Sequence, residues 1–389
     1  MDFDDRRASE LLMPLRQAPT GPSTVDVGRA IARGERRRAT IRAASAAAVV
    51  LVVLAGGWAF AGADRGHRPD PVPAVSASPS PEGGQGITRC TASEVETPPA
   101  AAQGGTTVMG GDPSGRYLVG LGIDGAKGLA LLWDRGKYRI IDLPDESPTL
   151  LDINSAGVAV GYTTRQRRVP WVVVDGRAHE LARAGGDNDD AVAYGINAAG
   201  QIAGTVKGRP VLWPGPDGQA APLPLPGPGY SGWARAVDDD GTVVGQLFHD
   251  DGSAAWAWAP DGTPTMLAAP VIDGKPATEY GAFDVRNGWV AGTAGTTGVL
   301  WNLRTGKVRV VAWGMLMAVN GRGWTVLANE PRAAVDTGTQ RVDLPSVPGA
   351  EGGVYALAPA VLSDDGRFAA GTAITSANGH RAGTRWTCR

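Results

Sequence analysis

Histidine and cysteine are scarce in this chain of 389 residues, which contains four histidines and two cysteines. His67, His179, His249 and His380 are widely separated, so no Ser-His-Asp arrangement can be assembled from neighbouring positions. Lysine is also rare, with five residues among 37 basic ones, and the formal net charge is only -2. A chain without a basic excess is not expected to bind nucleic acid. The sequence therefore assigns no catalytic, cofactor-binding or metal-binding residue.

Glycine and proline are abundant, with 56 and 29 residues, and 43% of the chain is hydrophobic. A disordered chain rich in glycine and proline would have few apolar side chains. Here apolar runs alternate with glycine, a pattern typical of many short strands joined by tight turns.

An uncharged segment of 21 residues, 43–63, is rich in Ala, Val and Leu and has the length of a membrane-spanning helix. Six arginines lie from Arg29 to Arg42, whereas the charges that follow the segment nearly cancel. The positive-inside bias predicts a cytoplasmic N-terminus and an extracytoplasmic C-terminal part. The alternative is a cleaved signal peptide, since Ala59-Phe60-Ala61 is similar to a cleavage site, but a long stretch precedes the apolar segment.

The segments on either side of this predicted span are short. Residues 1–42 are interpreted as a basic tail that sets topology, with a docking peptide for a cytosolic partner as the alternative. Residues 64–86 are rich in Pro, Ser and Gly and predict an extended stalk without a core.

A four-residue turn that starts with Asp, Asn or Ser and ends in Gly recurs through residues 87–389, with one shorter copy, Asn287-Gly288. The spacings between successive turn glycines are 42, 43, 41, 47, 35 and 43 residues. Asp or Asn at the first position hydrogen-bonds its own turn, and Gly accepts a positive φ. The turn glycines are Gly115, Gly157, Gly200, Gly241, Gly288, Gly323 and Gly366.

Each repeat contains signals for four strands, which is typical of a β-propeller blade. Apolar residues flank the first turn on both sides, and a third strand and a second glycine turn follow. The sequence predicts an all-β, seven-bladed β-propeller preceded by a single transmembrane helix. Six blades are the fallback, because the sixth repeat lacks the tryptophan and has Val335 near its place. The third strands carry Trp133, Trp171, Trp213, Trp258, Trp301 and Trp386, and the second turns carry Gly136, Gly176, Gly218, Gly262, Gly306 and Gly338.

The seventh repeat stops before its fourth strand, while a strand-like segment at residues 87–95 precedes the first repeat. If that segment supplies the missing strand, Cys90 becomes a neighbour of Cys388, at the end of the third strand of the seventh repeat. Both cysteines lie on the predicted extracytoplasmic side, where disulfides persist. The sequence therefore predicts a Cys90–Cys388 disulfide that closes the ring.

The repeat resembles the bacterial extracellular HAF repeat. The resemblance rests on Ile153-Asn-Ser-Ala-Gly-Val-Ala-Val-Gly161, on Ile196-Asn-Ala-Ala-Gly-Gln-Ile-Ala-Gly204 and on the tryptophan strands that follow them. The His-Ala-Phe tripeptide of that family is missing, and Ala255-Trp256-Ala257 is the nearest approach. The resemblance implies a secreted β-repeat protein and carries over no catalytic residue.

Three groups of residues are considered as ligand sites. His249 with Asp250 and Asp251 is interpreted as a hairpin loop rather than a metal site. The loops Asp187-Asn188-Asp189-Asp190 and Asp238-Asp239-Asp240 are rich in oxygen and are the only places considered for Ca²⁺, but neither has the ligand spacing of an EF-hand loop. The repeated tryptophans are expected to pack between blades. Tryptophans outside that pattern are ligand candidates where they face solvent: Trp233, Trp256, Trp289, Trp313 and Trp324.

The leading interpretation is a non-catalytic binding, scaffold or sensory propeller that uses no cofactor. A single span would hold it outside a bacterial membrane, where its ligand is an extracytoplasmic protein or glycan. The alternative is an extracytoplasmic carbohydrate-active enzyme that uses carboxylates at the centre of the propeller. A third hypothesis is a sensor that signals to a cytosolic partner through residues 1–42.

Overall fold

A computed structural model describes residues 86–389 except 145–146, 165, 184–185, 187–188, 312, 330, 348–355 and 375–379. The predicted tail (1–42), membrane helix (43–63) and nearly all of the predicted stalk (64–86) lie outside the described residues. No helix in the described part of the chain is long and apolar enough to cross a bilayer.

The described residues form seven four-stranded antiparallel sheets, which are the blades of a β-propeller. The prediction of an all-β, seven-bladed propeller is confirmed, and the six-bladed fallback is wrong. The innermost strands of blades one to seven are β2 (Thr106–Gly111), β6 (Pro148–Ile153), β10 (Ala191–Ile196), β14 (Ser231–Val237), β20 (Gly281–Arg286), β24 (Met315–Val319) and β28 (Ala356–Leu362). The second strands are β3 (Tyr117–Asp124), β7 (Ala159–Thr164), β11 (Ile202–Val206), β15 (Val243–His249), β21 (Trp289–Ala294), β25 (Thr325–Asn329) and β29 (Phe368–Ile374).

Two further strands complete each blade on its outer side. The third strands are β4 (Lys127–Asp134), β8 (Arg168–Val174), β12 (Arg209–Trp213), β16 (Gly252–Trp258), β22 (Thr297–Asn302), β26 (Arg332–Asp336) and β30 (Arg381–Cys388). The outermost strands are β5 (Lys137–Ile141), β9 (Arg177–Glu180), β13 (Ala221–Pro222), β17 (Pro264–Met266), β23 (Lys307–Val311), β27 (Arg341–Leu344) and, in blade seven, β1 (Cys90–Glu94). A short 3₁₀ helix, Pro99–Ala101, and a small hairpin of β18 (Val271–Ile272) and β19 (Lys275–Pro276) lie between blades.

The hydrophobic core is divided among the junctions between blades. In the described part of the chain there are seven buried apolar clusters, and each combines side chains from two successive blades. The second strand of each blade contacts the innermost strand of the next, and β29 of blade seven contacts β2 of blade one. Since no blade buries its faces alone, stability depends on a complete ring.

The ring is closed by pairing the first strand of the domain with the last. Strand β1 runs antiparallel to β30, with Cys90 directly opposite Cys388, and the two cysteines form a disulfide. The amide of Thr88 also donates to the carbonyl of Arg389 at 2.6 Å. The predicted closure and the predicted disulfide are both confirmed.

In blades one, three, four, five and seven, a repeated tryptophan ties the blade to the one before it. The side chains of these five tryptophans are at most 2% exposed, which confirms that they pack between blades. Each indole N–H donates, at 2.7–2.8 Å, to a backbone carbonyl just beyond the outermost strand of the preceding blade. The donor and acceptor pairs are Trp133 with Glu96, Trp213 with Ala182, Trp258 with Pro224, Trp301 with Ala268 and Trp386 with Pro345.

Blades two and six depart from this pattern. Trp171 was expected at the shared position, but Val173 occupies it, opposite Ala159, and Trp171 lies two residues earlier. Its indole N–H donates to Thr163 within its own blade. In blade six the shared position is taken by Asp336, opposite Thr325, and not by its neighbour Val335.

The recurrent turns form a belt of hydrogen bonds around one end of the ring. All seven turn glycines have φ between 72° and 89°, as predicted, and the second-turn glycines also have positive φ except Gly218. The first residue of the turn is buried in every blade except blade five, where Asn287 is exposed, and hydrogen bonds link the turns of successive blades at every junction. In order from blades one and two, these bonds join Ser155 to Asp112, Asn154 to Asn197, Asn197 to Asp238, Asn287 to Asp238, Asn287 to Gly321, Asn320 to Ser363 and Asp364 to Pro113.

Candidate functional site

The centre of the propeller encloses a cavity of about 740 Å³, lined by the innermost strands of all seven blades. This volume lies within the range of small-molecule sites, roughly 300–1,000 Å³. The strands carry mostly small and apolar residues, so the wall is apolar except at a few defined positions.

A β-bulge interrupts the innermost strand of every blade at the same place, so that one extra residue stands opposite the second strand. Bulges bend a strand and redirect a side chain. All seven extra residues line the cavity. In blade order they are Met109, Leu151, Tyr194, Arg235, Phe283, Met317 and Ala360.

These seven residues, here called the bulge ring, divide into two sides. Tyr194, Arg235 and Phe283 come from the successive blades three, four and five and form a polar and aromatic side. The residues of blades six, seven, one and two form an apolar side that includes two methionines and one alanine. The cavity is therefore amphipathic.

Arg235 is held between the two aromatic rings of its side. Its guanidinium carbon lies 4.3 Å from the centroid of Tyr194 and 6.0 Å from that of Phe283, which are cation–π distances. Burial lowers the pKa of Arg235, although the nearby Tyr194 hydroxyl acts in the opposite direction. Among the described residues its electrostatic partners are the hydroxyls of Tyr194 and Tyr162, and no carboxylate is one of them.

Two carboxyl groups follow the bulge in blades two and five. Asp152 accepts hydrogen bonds from the amides of Ile153 and of Ile196 in the next blade, both at 2.9 Å. Asp284 accepts from the amides of Val285, at 2.8 Å, and of Val319 in the next blade, at 2.9 Å. Each aspartate thus joins two neighbouring innermost strands.

Burial dominates the titration of both aspartates. It raises the pKa of Asp152 to about 7, and the charge of Asp284 adds to this shift. Burial also raises the pKa of Asp284. The backbone hydrogen bonds, which favour the charged form, do not offset the loss of hydration.

Arg286 lies at the end of the cavity that carries the turns. It donates to Asp239 of blade four at 2.9 Å and to Asp364 of blade seven at 3.1 Å. Burial alone would lower the pKa of Arg286, but the hydrogen bond and charge of Asp364, followed by the charges of Asp239 and Asp238, raise it overall. Because blade six separates blades five and seven, this side chain extends over the turn-side mouth and narrows it.

The described residues of the two acidic loops, Asp189, Asp190 and Asp238 to Asp240, do not line the cavity. The Asp189 carboxylate pairs with Lys207, and that of Asp190 pairs with Arg168. The carboxylate of Asp238 accepts from the amides of Asn287 and Gly288. In the described ranges no group of three or more His, Cys, Asp or Glu residues could hold a metal ion.

His249 ends β15 and stands opposite Gly252 of β16, so the predicted hairpin is present. Its ring stacks on Tyr230, with centroids 4.5 Å apart. The five tryptophans considered as ligand candidates are buried or half-buried, and none lines the cavity. Trp313, for example, lies beside the guanidinium groups of Arg332 and Arg341.

Comparisons with known proteins support the fold. No protein-family model and no curated protein matches the chain. The structure is similar to that of an oligogalacturonate lyase from Vibrio parahaemolyticus, with TM-score 0.51 and 11% identity over 78% of this chain and 98% of the other. YCF48 from Cyanidioschyzon merolae has TM-score 0.47 and 11% identity over 77% and 98% of the two chains. A chain of the mitotic checkpoint complex has TM-score 0.48 and 13% identity over 86% and 99%. At 11% identity the likeness to the lyase structure concerns the fold alone and says nothing about activity.

Sequence reasoning did not find the bulge ring or the two aspartates, although a spacing signal exists. In six blades the bulge residue stands three positions before the first residue of the turn, as Arg235 does before Asp238. In blade five the separation is four, from Phe283 to Asn287. The seven side chains share no chemistry, so nothing in the sequence alone groups them.

Proposed function

We propose that this protein is a non-catalytic binding module whose ligand occupies the central cavity of the propeller. The observation that carries the proposal is the bulge ring, in which every blade contributes one redirected side chain to a single enclosed space. Bulges next to functional sites commonly redirect side chains in this way.

The carboxyl groups at the cavity support binding rather than catalysis. A general acid or a nucleophile needs an oxygen that can reach the substrate. Both oxygens of Asp152 and both oxygens of Asp284 accept backbone N–H groups, so these carboxyls join strands. Because Asp152 and Asp284 join neighbouring strands, their burial needs no catalytic role to explain it.

One observation favours the alternative of a carbohydrate-active enzyme. Asp152 and Asp284 belong to blades on different sides of the cavity and interact electrostatically, and the pKa of Asp152, about 7, suits a general acid. We therefore retain this function as the second candidate.

The proposed location is the outer side of a bacterial membrane, with residues 43–63 as the anchor and residues 1–42 in the cytoplasm, available to a cytosolic partner. The Cys90–Cys388 disulfide supports this location, since such bonds persist in oxidising compartments. The resemblance to the HAF repeat points the same way. Alkaline extraction of membranes should leave the protein in the pellet, and recovery of a soluble protein that begins near residue 64 would instead identify a cleaved signal peptide.

The binding proposal can be tested by filling the cavity. The full-length chain in lipid nanodiscs would be incubated with small molecules extracted from bacterial cell envelopes, and retained compounds identified by mass spectrometry. Met317→Trp should abolish retention, because a larger side chain occupies the space. The matched control is Met266→Trp on an outermost strand, where the methionine is 56% exposed.

The enzyme alternative has a separate test. Turnover of cell-envelope glycans or peptides by the wild type, lost in both Asp152→Asn and Asp284→Asn, would replace the binding proposal. Equal retention of compounds by Met317→Trp and the wild type would contradict the cavity as the binding site.

A further inference from the structure

We infer that the ligand of the central cavity is an organic anion. Its acid group binds the Arg235 guanidinium, and its apolar body packs against the apolar side of the bulge ring. The inference rests on the proposed function, because it assigns a ligand class to the same cavity.

Arg235 has hydrogen-bonding capacity that its surroundings leave unused. A guanidinium carries five N–H donors in one plane and stays charged at all physiological pH values. The Arg235 guanidinium lies over the rings of Tyr194 and Phe283 and hydrogen-bonds to the Tyr194 side chain. This hydrogen bond leaves most of the five donors for a ligand. A buried charge without a counter-ion is costly, and an anionic ligand would remove that cost.

Other arginines of the propeller are neutralised by the protein itself. Arg116 pairs with Asp134, Arg168 with Asp190, and Arg286 with Asp239 and Asp364. Arg235 is the cation at the cavity wall that is half-buried and, within the described ranges, without a carboxylate partner. That difference marks the place for the acid group of the ligand.

The opposite side of the ring suits an apolar body. Blades seven and one lie across the ring from blade four, and their bulge residues are Ala360 and Met109. Three methionines line the cavity, Met109, Met315 and Met317, and each is 36–38% exposed although apolar. Flexible thioether side chains adapt to the shape of an apolar group, and Ala360 leaves room for it.

The remaining charges predict how affinity depends on pH. Asp152 and Asp284 carry negative charge only when ionised, and burial raises the pKa of both, to about 7 for Asp152. Protonation below that pH removes repulsion between these groups and a bound anion. Anion affinity should therefore increase as the pH falls from 8 to 6. The charged and titratable groups that line the cavity are Asp152, Asp284, Asp364, Arg235, Arg286, Arg381 and Tyr194.

Two probes that differ in charge test the inference. The full-length chain in uncharged phosphatidylcholine nanodiscs would be titrated with 4-fluorobenzoate and with 4-fluorobenzyl alcohol, using ligand-observed ¹⁹F NMR and empty nanodiscs as the blank. The anion should bind at least about tenfold more tightly than the alcohol, the effect of one hydrogen bond to a charged group. Its affinity should be higher at pH 6 than at pH 8.

Variants locate the site. Arg235→Met should remove the preference for the anion over the alcohol. The matched control, Arg177→Met on the exposed face of an outermost strand, should keep the preference. The comparison of the two probes on the wild type is a test that needs no variant, and it holds even if Arg235→Met fails to fold.

The outcomes separate the inference from the proposed function. Equal affinity of the wild type for both probes, with both lost in Met317→Trp, would overturn the anion preference and keep the cavity as a binding site. Binding that Met317→Trp does not affect, or no binding at all, would overturn the inference and count against the proposed function. Equal affinity for inorganic phosphate and 4-fluorobenzoate would overturn the role of the apolar body.

Discussion

The asparagine that starts a turn bonds to two neighbours at once. The side-chain oxygen of Asn320 accepts from the amides of Arg322 and Trp324 in its own turn, while its Nδ2 donates to the carbonyl of Ser363 in the next blade. Asn154 and Asn197 have the same two roles. An amide suits this position because it is both a donor and an acceptor.

Asn320→Asp keeps the acceptor and removes the donor. The new carboxylate would stand beside the carbonyl of Ser363 in a fully buried site, so we expect the free energy of unfolding to fall by about 1–3 kcal/mol. The control is Asn302→Asp, since Asn302 accepts from Arg304 and Thr305 within an exposed turn. Urea denaturation followed by tryptophan fluorescence measures both, and equal losses would disprove the role of the inter-blade bond.

The pKa of Asp152 predicts how stability depends on pH. Its folded-state pKa of about 7 lies above the ordinary value of 3.8 for an aspartate, so between these values the folded state holds a proton that the unfolded state has released. The free energy of unfolding should therefore fall as the pH rises through this interval, and it should level off above about pH 7. The fall amounts to about 1.4 kcal/mol for each unit by which the folded-state pKa exceeds the unfolded-state pKa.

Asp152→Asn tests that prediction. It should reduce the difference in stability between pH 4 and pH 8, while Asp142→Asn at an exposed position should leave the difference unchanged. Denaturation curves at several pH values give the comparison. If Asp152→Asn and the wild type lost equal stability between pH 4 and pH 8, burial would not set the pKa of Asp152.

The strands illustrate what the sequence can and cannot reveal. Turn residues such as Asn154 and the tryptophans of the third strands predicted four strands per blade, because turns and large apolar side chains impose local chemical requirements. The bulges were not predicted, since a bulge is a shift in backbone pairing that accepts residues as different as Arg235 and Ala360. The cavity depends on those bulges, so it was not visible either. Trp171 was misplaced for the same reason, because composition does not show a two-residue displacement along a strand.

The tryptophan link between blades gives a prediction for the third strands. Trp213→Phe removes the N–H that donates to Ala182 and leaves space in a fully buried site. We expect a loss of about 2–4 kcal/mol, from the hydrogen bond and the cavity together. Trp171→Phe is the matched control, since Trp171 is half-buried and donates within its own blade. A loss for Trp171→Phe as large as that for Trp213→Phe would contradict the inter-blade role.

At the scale of the whole molecule, the seven junctions share the core, and the junction inside blade seven carries the crosslink. The Cys90–Cys388 bond joins residues 298 positions apart. In the chain-entropy model a loop of that length restricts the unfolded chain by about 5 to 6 kcal/mol.

Replacing both cysteines by serine should lower the free energy of unfolding by about 2–5 kcal/mol, the usual range for loss of a native disulfide. Reduction of the wild type should have a similar effect and should add none to the double variant. Because the backbone pairing of β1 with β30 does not need the crosslink, circular dichroism should still show the β-propeller. Unchanged stability after reduction would mean that strand pairing alone closes the ring.

The closure also sets the order of events during biosynthesis. Cys90 leaves the ribosome long before its partner and is the only thiol on the growing chain until Cys388 is made, because the sequence contains two cysteines. Within one molecule there is a single disulfide to form, so no wrong internal pairing can arise. A disulfide that forms before Cys388 arrives can only join Cys90 to another molecule. Covalent dimers are therefore the expected product of premature oxidation, and blade seven is completed only after the other six blades have been synthesised.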